Sequence, residues 1–277
     1  MARQVVTAAD RARGGLLGLA AGQAAAVGVG PVGELALACC VAEELLETAP
    51  DFHRLAGRWI AWWRQDGTGI SARTAEALDH LARFDAPAPP GPGTGEGAPL
   101  IRVLPMALAM PTQPRNLISG TYHAVMLTHP DPHTAWSAVA VNVAAARLFQ
   151  GKRDFIPDVI EALVANDAPT ELLAAIRRLP FAGRDDVRPD RPVEGAAVAT
   201  ATAVLWVAHQ EPVLERGVRW LGEASGEAAV NAALGCALLG LREGEVAIPE
   251  AWVAGLAQAD RLRELAKRLS RALPVPA

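Results

Sequence analysis

Alanine-rich helical segments, separated by short proline and glycine breaks, constrain the fold of this chain more than any other feature. Alanine takes roughly a fifth of the 277 positions and aromatic residues take 5%. Alanine and leucine favour helices, and no useful run alternates apolar and polar residues as strands do. No repeat of fixed period is present. The sequence therefore predicts an all-α protein of a dozen or so short helices.

Periodicity and capping residues predict the helix boundaries. Thr7 and Asp10 resemble a capping box, and Ser71 caps a helix that runs to about residue 84. The other predicted helices cover residues 8–27, 34–47, 52–64, 98–110, 115–127, 133–149, 153–166, 170–178, 195–209, 211–222, 225–240 and 249–271, the last broken near 258. Residues 86–97 are a linker or a rigid loop, and 181–194 are a polar loop. We predict one domain over 1–277.

Charge and cysteine content exclude several classes of protein. The net charge is -4, and no run of Lys and Arg supplies the basic face that nucleic-acid binding needs. The apolar run at 16–32 is rich in Ala and Gly and falls short of a membrane helix. Cys39, Cys40 and Cys236 lie in apolar helices and are expected to be reduced core residues. We expect a cytoplasmic protein that binds neither nucleic acid nor membrane.

Few polar motifs point to chemistry. Phosphate-loop, zinc-protease and nucleophile-elbow patterns are absent. Tyr122, the only tyrosine, adjoins His123, and such a pair can perform acid–base chemistry in a pocket. The segment THPDPH at 128–133 is typical of a helix entry, although its side chains also have metal-binding spacing. For His129, a structural role and a ligand contact stand equally open.

Five segments, taken in order, carry a resemblance to a known family. They are DRARGGLLGLAAGQA (10–24), GEGAPLIRVLPMALA (95–109), THPDP (128–132), TAVLWVAHQEPVLERGVRWLG (202–222) and GCALLGLREGEVAIPEAW (235–252). Together they resemble the ADP-ribosylglycohydrolase family, all-α hydrolases that include the dinitrogenase-reductase-activating glycohydrolase. The resemblance implies a compact orthogonal multi-helix bundle. It also implies a two-magnesium centre that activates water for attack at the anomeric carbon of a ribose.

The motifs that would hold those magnesium ions are degenerate here. The family's T-D-D-T motif falls on residues 32–35, where only Glu34 stands in the place of an aspartate. The G-G-D-x-D-[ST] motif falls in 222–230, where two alignments compete and neither keeps the aspartate pair. One of them places Glu227 on the first aspartate. Gln23 replaces the aspartate of the family's GDA. We therefore predict that the two-magnesium centre is lost and expect no cofactor.

A fold of this family with degenerate metal-binding motifs is compatible with three functions. The favoured one is a repurposed, metal-independent enzyme or binder that uses the same cleft for a small molecule, with a nucleotide-like compound as one candidate. The second is a catalytically inactive pseudoenzyme that binds an ADP-ribose-like ligand or a protein partner. The third is a magnesium-dependent hydrolase with an altered site. The candidate catalytic residues are Glu34, Glu227, His123 and Tyr122, and the candidate ligand-binding residues are Gly95, Glu96, Gly97, His129, Gln23 and Asn231.

Each candidate also has a purely structural interpretation. Glu34 and Glu227 stand at predicted helix starts, where the helix dipole favours an acid regardless of function. Arg102 is interpreted as binding a loop carbonyl rather than a ligand. Asn231 fits as a polar packing residue.

Overall fold

The structure, a computed structural model, describes residues 6–28, 33–47, 51–92, 95–188, 195–223 and 227–271, and these residues include no strand. The amino-terminal helices are α1 (Ala8–Val27), α2 (Glu34–Glu47), α3 (Phe52–Gln65), α4 (Ala72–Phe84), α5 (Ala98–Val103), α6 (Pro105–Ala109) and α7 (Pro114–Met126). The later helices are α8 (Pro132–Phe149), α9 (Ile156–Val164), α10 (Thr170–Arg178), α11 (Ala196–Gln210), α12 (Leu214–Gly222), α13 (Ala228–Glu243), α14 (Glu250–Val253) and α15 (Ala259–Arg271). Short 3₁₀ turns cover Arg184–Val187 and Glu245–Ala247.

Side-chain caps set several helix starts where the sequence predicts them. The Thr7 hydroxyl accepts the Asp10 N–H at 3.1 Å, and the Asp10 carboxylate accepts the Thr7 N–H in return. Ser71 accepts the Thr74 N–H at 3.1 Å at the start of α4. Such caps satisfy N–H groups that have no partner inside the helix. Gly28, with φ of 68°, ends α1 in the left-handed conformation that glycine tolerates.

Proline explains where the observed helices depart from the predicted ones. The helix predicted over 98–110 is two helices, because Pro105 has no N–H to continue the ladder from α5. The helix predicted from 153 begins at Ile156, with Pro157 in its first turn, where proline is tolerated. The break predicted near Gln258 separates α14 from α15.

Helices α1 and α13 pack at unusually close range. A Cβ atom added at Gly14 would lie 2.2 Å from the carbonyl oxygen of Gly240, and one at Gly22 would lie 2.2 Å from that of Ala232. Real Cβ atoms do not approach a backbone carbonyl so closely, so glycine is required at both positions. The contact buries α1 from Gly14 to Gly22. It thereby joins the first part of the chain to a helix more than two hundred residues later.

The remaining core is built from apolar helix faces around α8, which is buried along most of its length. Asn142 of α8 donates to the carbonyl of Val103 and to the hydroxyl of Thr121, each at 2.9 Å, which ties α5 and α7 to the centre. All three cysteines are free; Cys39 and Cys236 are buried and Cys40 is half-buried. Within the described ranges, no helix combines the length and apolarity that crossing a membrane requires.

The proline-rich segment that follows α4 is anchored to that helix. Arg73 donates from Nη2 to the carbonyl of Pro89 at 2.9 Å, and His80 Nδ1 lies 2.9 Å from the carbonyl oxygen of Ala86. Ala88 is buried. Of the two interpretations of residues 86–97, these contacts favour a loop held against α4; residues 93 and 94 lie outside the described ranges.

Candidate functional site

A buried ion pair between Glu34 and Arg102 forms the centre of the candidate site. Arg102, on α5, is fully buried and Glu34, at the start of α2, is 6% exposed. The arginine donates from Nε to Glu34 Oε2 and from Nη2 to Oε1, both at 2.7 Å. The same Nη2 donates to the Thr74 hydroxyl at 2.9 Å, and the guanidinium lies 5.6 Å from the ring centre of Trp59. Two parallel hydrogen bonds fix the plane of the carboxylate.

Both partners of this pair are charged. Burial raises the pKa of the Glu34 carboxyl, and the charge and hydrogen bonds of Arg102 oppose that rise. Protonation of Glu34 would leave the guanidinium buried without a counter-charge, which is strongly unfavourable. The ion pair therefore persists, and Arg102 places a fixed positive charge inside the site.

A chain of polar contacts leads from Arg102 to Glu96. Arg102 donates from Nη1 to the Thr128 hydroxyl at 2.8 Å. That hydroxyl lies 3.0 Å from Nδ1 of the fully buried His129, whose Nε2 is 3.6 Å from Glu96 Oε2. Because the Thr128 oxygen accepts from arginine, its own proton is available for Nδ1. The tautomer of His129 protonated on Nε2 fits this arrangement, since it turns an N–H toward the acid.

Both titratable members of that chain, His129 and Glu96, have pKa values below their ordinary ones. Burial lowers the pKa of His129 to about 4, and the nearby Arg102 charge acts in the same direction. The imidazole is therefore neutral near pH 7. Burial raises the pKa of Glu96, but contacts with His129 and Ser71 and the charge of Arg102 outweigh it, so the pKa lies below its ordinary value. Glu96 is therefore a carboxylate.

A second acid, Glu227, sits just before α13 and faces the same loop. Both of its carboxylate oxygens lie 2.8 Å from the Gly97 nitrogen, which donates to them. Thr200 Oγ1 is 3.2 Å from Glu227 Oε2 and donates to Asn231 Oδ1 at 2.7 Å. Burial raises the pKa of Glu227 above its ordinary value, against the hydrogen bonds from Gly97 and Thr200, and the negative charge of Glu96 adds to the rise. Glu227 thus holds a proton more readily than an ordinary glutamate.

The glycines of this loop have different structural requirements. A Cβ atom at Gly97 would lie 2.2 Å from Glu227 Oε2 and 2.9 Å from the Thr200 hydroxyl, so only glycine allows the acid to approach. A Cβ atom at Gly95 would meet nothing within 4 Å. The carbonyl of Gly95 instead accepts the Ala197 N–H at 2.9 Å, which seats the loop on α11.

Several polar atoms of this cluster are buried without a hydrogen-bond partner in the described part of the chain. They are Glu96 Oε2, His129 Nε2 and Asn231 Nδ2. Most buried polar atoms in native proteins have a partner, so such atoms mark places where a ligand or an ordered water completes the site. Glu96 Oε2 and His129 Nε2 face each other across 3.6 Å, longer than a hydrogen bond, and the Asn231 amide nitrogen has no acceptor, so these are the atoms that a guest would pair with.

The structure brings some predicted residues together and places others elsewhere. The residues that converge are Glu34, Glu96, Gly97, His129, Glu227 and Asn231, with the backbone of Gly95 beside them. Tyr122 and His123 do not join the contacts that build this cluster. The Tyr122 ring packs against Trp136, with ring centres 5.2 Å apart, and His123 Nδ1 lies 2.8 Å from the carbonyl of Ser119. Gln23, near the end of α1, takes no part in the contacts that build the cluster.

Sequence reasoning missed the central role of Arg102. Its interpretation as a ligand of a loop carbonyl is wrong, because its guanidinium donates to the side chains of Glu34, Thr74 and Thr128. The available signal was an arginine inside the apolar run Leu100–Leu104, which requires a buried counter-charge. Nothing in the sequence pattern identified the threonines, which lie on separate segments.

The acidic and histidine side chains of the cluster are not arranged as a metal site. In the described ranges, no group of three or more His, Cys, Asp and Glu side chains is placed to hold a metal ion. The acids of the cluster instead contact protein donors.

Fold and site together define an all-α protein with a buried, acid-rich polar cluster. The sequence model of the ADP-ribosylglycohydrolase family matches residues 4–276. A solved structure titled "ADP-ribosylglycohydrolase-related protein complex" is 24% identical in sequence, covers 97% of this chain and 99% of its own, and superposes with a TM-score of 0.80. No curated protein matches the sequence. The chain belongs to the ADP-ribosylglycohydrolase family and has its all-α fold.

Proposed function

We propose that this protein binds a small polar molecule at the cluster around Glu96, Glu227 and His129 without magnesium, as a metal-independent enzyme or binder. The observation that carries the proposal is the pairing of Glu34 with Arg102. Both carboxylate oxygens of Glu34 accept hydrogen bonds of 2.7 Å from one guanidinium. An internal cation therefore neutralises the acid that stands where the family's first metal motif is expected.

The residues present do not fit a two-magnesium centre. Magnesium requires oxygen ligands in near-octahedral geometry, usually with free carboxylates. Glu34 is occupied by Arg102, and both oxygens of Glu227 accept the Gly97 N–H. A magnesium ion on Glu34 would also stand beside a fixed guanidinium and be repelled by it. We therefore derive no chemical step through a metal.

The chemistry available to the cluster is acid–base chemistry by two carboxyls of different strength. Glu96 has a lowered pKa and Glu227 a raised one, so the first acts as a base and the second as a proton donor. They meet at Gly97, whose nitrogen follows Glu96 in the chain and donates to Glu227. The nitrogens His129 Nε2 and Asn231 Nδ2 have no hydrogen-bond partner in the described part of the chain, and their N–H groups would orient acceptor groups of the ligand.

The alternative is an inactive family member whose cleft binds an ADP-ribose-like ligand or a protein partner. The solved relative described above comes from a structure titled as a complex, which gives this alternative its support. It differs from the favoured proposal in predicting no turnover and no dependence of activity on Glu96 or Glu227.

Calorimetric titration of the protein with ADP-ribose, in EDTA and in millimolar magnesium, tests the proposal. We expect equal affinity in both solutions, a loss of about ten-fold or more in the Glu96→Gln variant, and no loss in Tyr122→Phe, a matched control outside the cluster. Affinity that rises steeply with magnesium would overturn metal independence. The absence of binding in both solutions would exclude an ADP-ribose-like ligand. It would also contradict the proposal that the protein retains the ligand-binding cleft of the family.

A further inference from the structure

A second cleft lies between α7, α8 and α9, and the polar cluster does not use it. Its volume is about 760 Å³, within the range of small-molecule sites. Ile118, Val143 and Ala162 supply its apolar wall, and Tyr122 and Trp136 supply aromatic surface. The residues that line this cleft are different from those whose contacts build the polar cluster. The two places are therefore separate.

Aromatic rings form a continuous row beside this cleft. Ring centres are 5.7 Å apart for Phe52 and His123, 5.7 Å for His123 and Tyr122, and 5.2 Å for Tyr122 and Trp136. Phe52, Tyr122 and Trp136 are half-buried and His123 is exposed, so ring surface remains open to solvent. Rings held in this way present stacking surface at little entropic cost.

The scaffold behind the row is rigid. Thr121, next to Tyr122, is fully buried and accepts a hydrogen bond from Asn142 of α8 at 2.9 Å. Asn142 also donates to the carbonyl of Val103. The helices that carry the two main rings are thus fixed to each other through a buried amide, so the ring surface is preformed.

The charged residues that line the cleft differ in whether they already have an ion-pair partner. Arg147 is paired with Asp158, so these two charges cancel. Arg115 is exposed and makes no ion pair with any residue that the structure describes. Glu161 lies on the α9 wall. Arg115 is therefore the cation available to an incoming ligand, and Glu161 is the group that would oppose an anion.

We propose that this cleft is a second small-molecule site, and that its ligand is a planar aromatic compound bearing an anionic group. The ring stacks on Tyr122 and Trp136, and the anion pairs with Arg115. Recognition by arginine suits a carboxylate or phosphate, which accepts two parallel N–H groups. This inference is independent of the function proposed for the polar cluster.

Titration with 2-naphthoate, followed by calorimetry and by amide NMR shifts, tests this site. The neutral 2-naphthol serves as a second probe with the same ring system. We expect shifts confined to α7, α8 and α9.

Variants separate the ring contribution from the charge contribution. Arg115→Gln should weaken naphthoate about ten-fold and leave naphthol unchanged, because only the charge pair is lost. Glu161→Gln should tighten naphthoate, and Trp136→Leu should weaken both probes. Arg177→Gln, an exposed arginine on a different cleft beside α10, is the matched control and should change neither.

Two results would overturn the assignment. One is naphthoate binding that Arg115→Gln and Arg177→Gln weaken equally, since that would reflect general charge attraction. The other is the absence of shifts on α7 and α8 at saturating naphthoate. Arg115 is exposed, so its substitution leaves the fold intact and the test remains decisive even where Trp136→Leu fails to fold.

Discussion

Replacing Arg102 by methionine gives the sharpest test of the buried ion pair. The change removes two hydrogen bonds to Glu34 and one each to Thr74 and Thr128, while a side chain of similar length keeps most of the volume filled. Glu34 is left as a buried negative charge without a partner. Breaking one side of a buried pair costs about 3–5 kcal/mol of unfolding free energy. That range corresponds to an increase of roughly 160- to 4600-fold in the unfolded fraction.

The loss should depend on pH in a defined direction. Burial already raises the folded-state pKa of Glu34 above the ordinary value of 4.5 against the opposing effect of Arg102, so removing Arg102 should raise it further. A carboxyl with a raised folded-state pKa binds an extra proton on folding, and stability falls as pH rises above the unfolded value. The deficit of Arg102→Met relative to wild type should therefore be larger at pH 8 than at pH 5.

Urea unfolding of four proteins at several pH values measures this effect. The proteins are wild type, Arg102→Met, Glu34→Gln and the double variant. The double variant should be more stable than the two single losses added together predict, by about 1 kcal/mol or more, because it leaves no unpaired charge. A deficit below about 1 kcal/mol in Arg102→Met, or one that does not change with pH, would refute the claim that the pair is buried and ionised.

Three further predictions use controls that the chain itself supplies. Gly97→Ala should displace Glu227, lower the free energy of unfolding in urea by about 1–3 kcal/mol and weaken ligand binding. Gly95→Ala, the control, should change neither, because its Cβ meets nothing within 4 Å. The raised pKa of Glu227 contributes stability that is lost as pH rises above the ordinary value of 4.5, so the stability of Glu227→Gln relative to wild type should be higher at pH 7 than at pH 4 in urea unfolding. Gly14→Ala should lower the melting temperature, since its Cβ would strike a backbone carbonyl of α13, whereas Gly57→Ala inside α3 should gain roughly 0.5–1 kcal/mol.

The sequence predicts the helix boundaries well because residues next to each boundary determine it. Thr7, Ser71 and Pro105 act within one turn of the residues they affect, so their consequences follow from neighbouring positions. The family resemblance likewise predicts the all-α fold, which the family match and the structural likeness bear out. The loss of the two-magnesium centre stays a prediction.

The site was harder to predict, because its parts come from separate segments. Glu34 and Arg102 are 68 residues apart, and Gly97 and Glu227 are 130 apart. Neither spacing leaves a periodic signal in the chain. Tyr122 and His129 are near in sequence but diverge in space, because α7 directs Tyr122 to the surface row of rings while His129 follows after the helix has ended.

The glycine contact between α1 and α13 also has a consequence during synthesis. Arg11 donates to the carbonyl of Leu241 across 230 residues, so α1 is synthesised long before the helix that its glycine face packs against. Contacts of such long sequence separation slow folding. Until α13 is synthesised, the apolar surface of α1 that packs against it is exposed and can associate with other apolar segments. The nascent chain should therefore remain sensitive to proteases and to aggregation until residues 228–243 emerge, and then close in a late step.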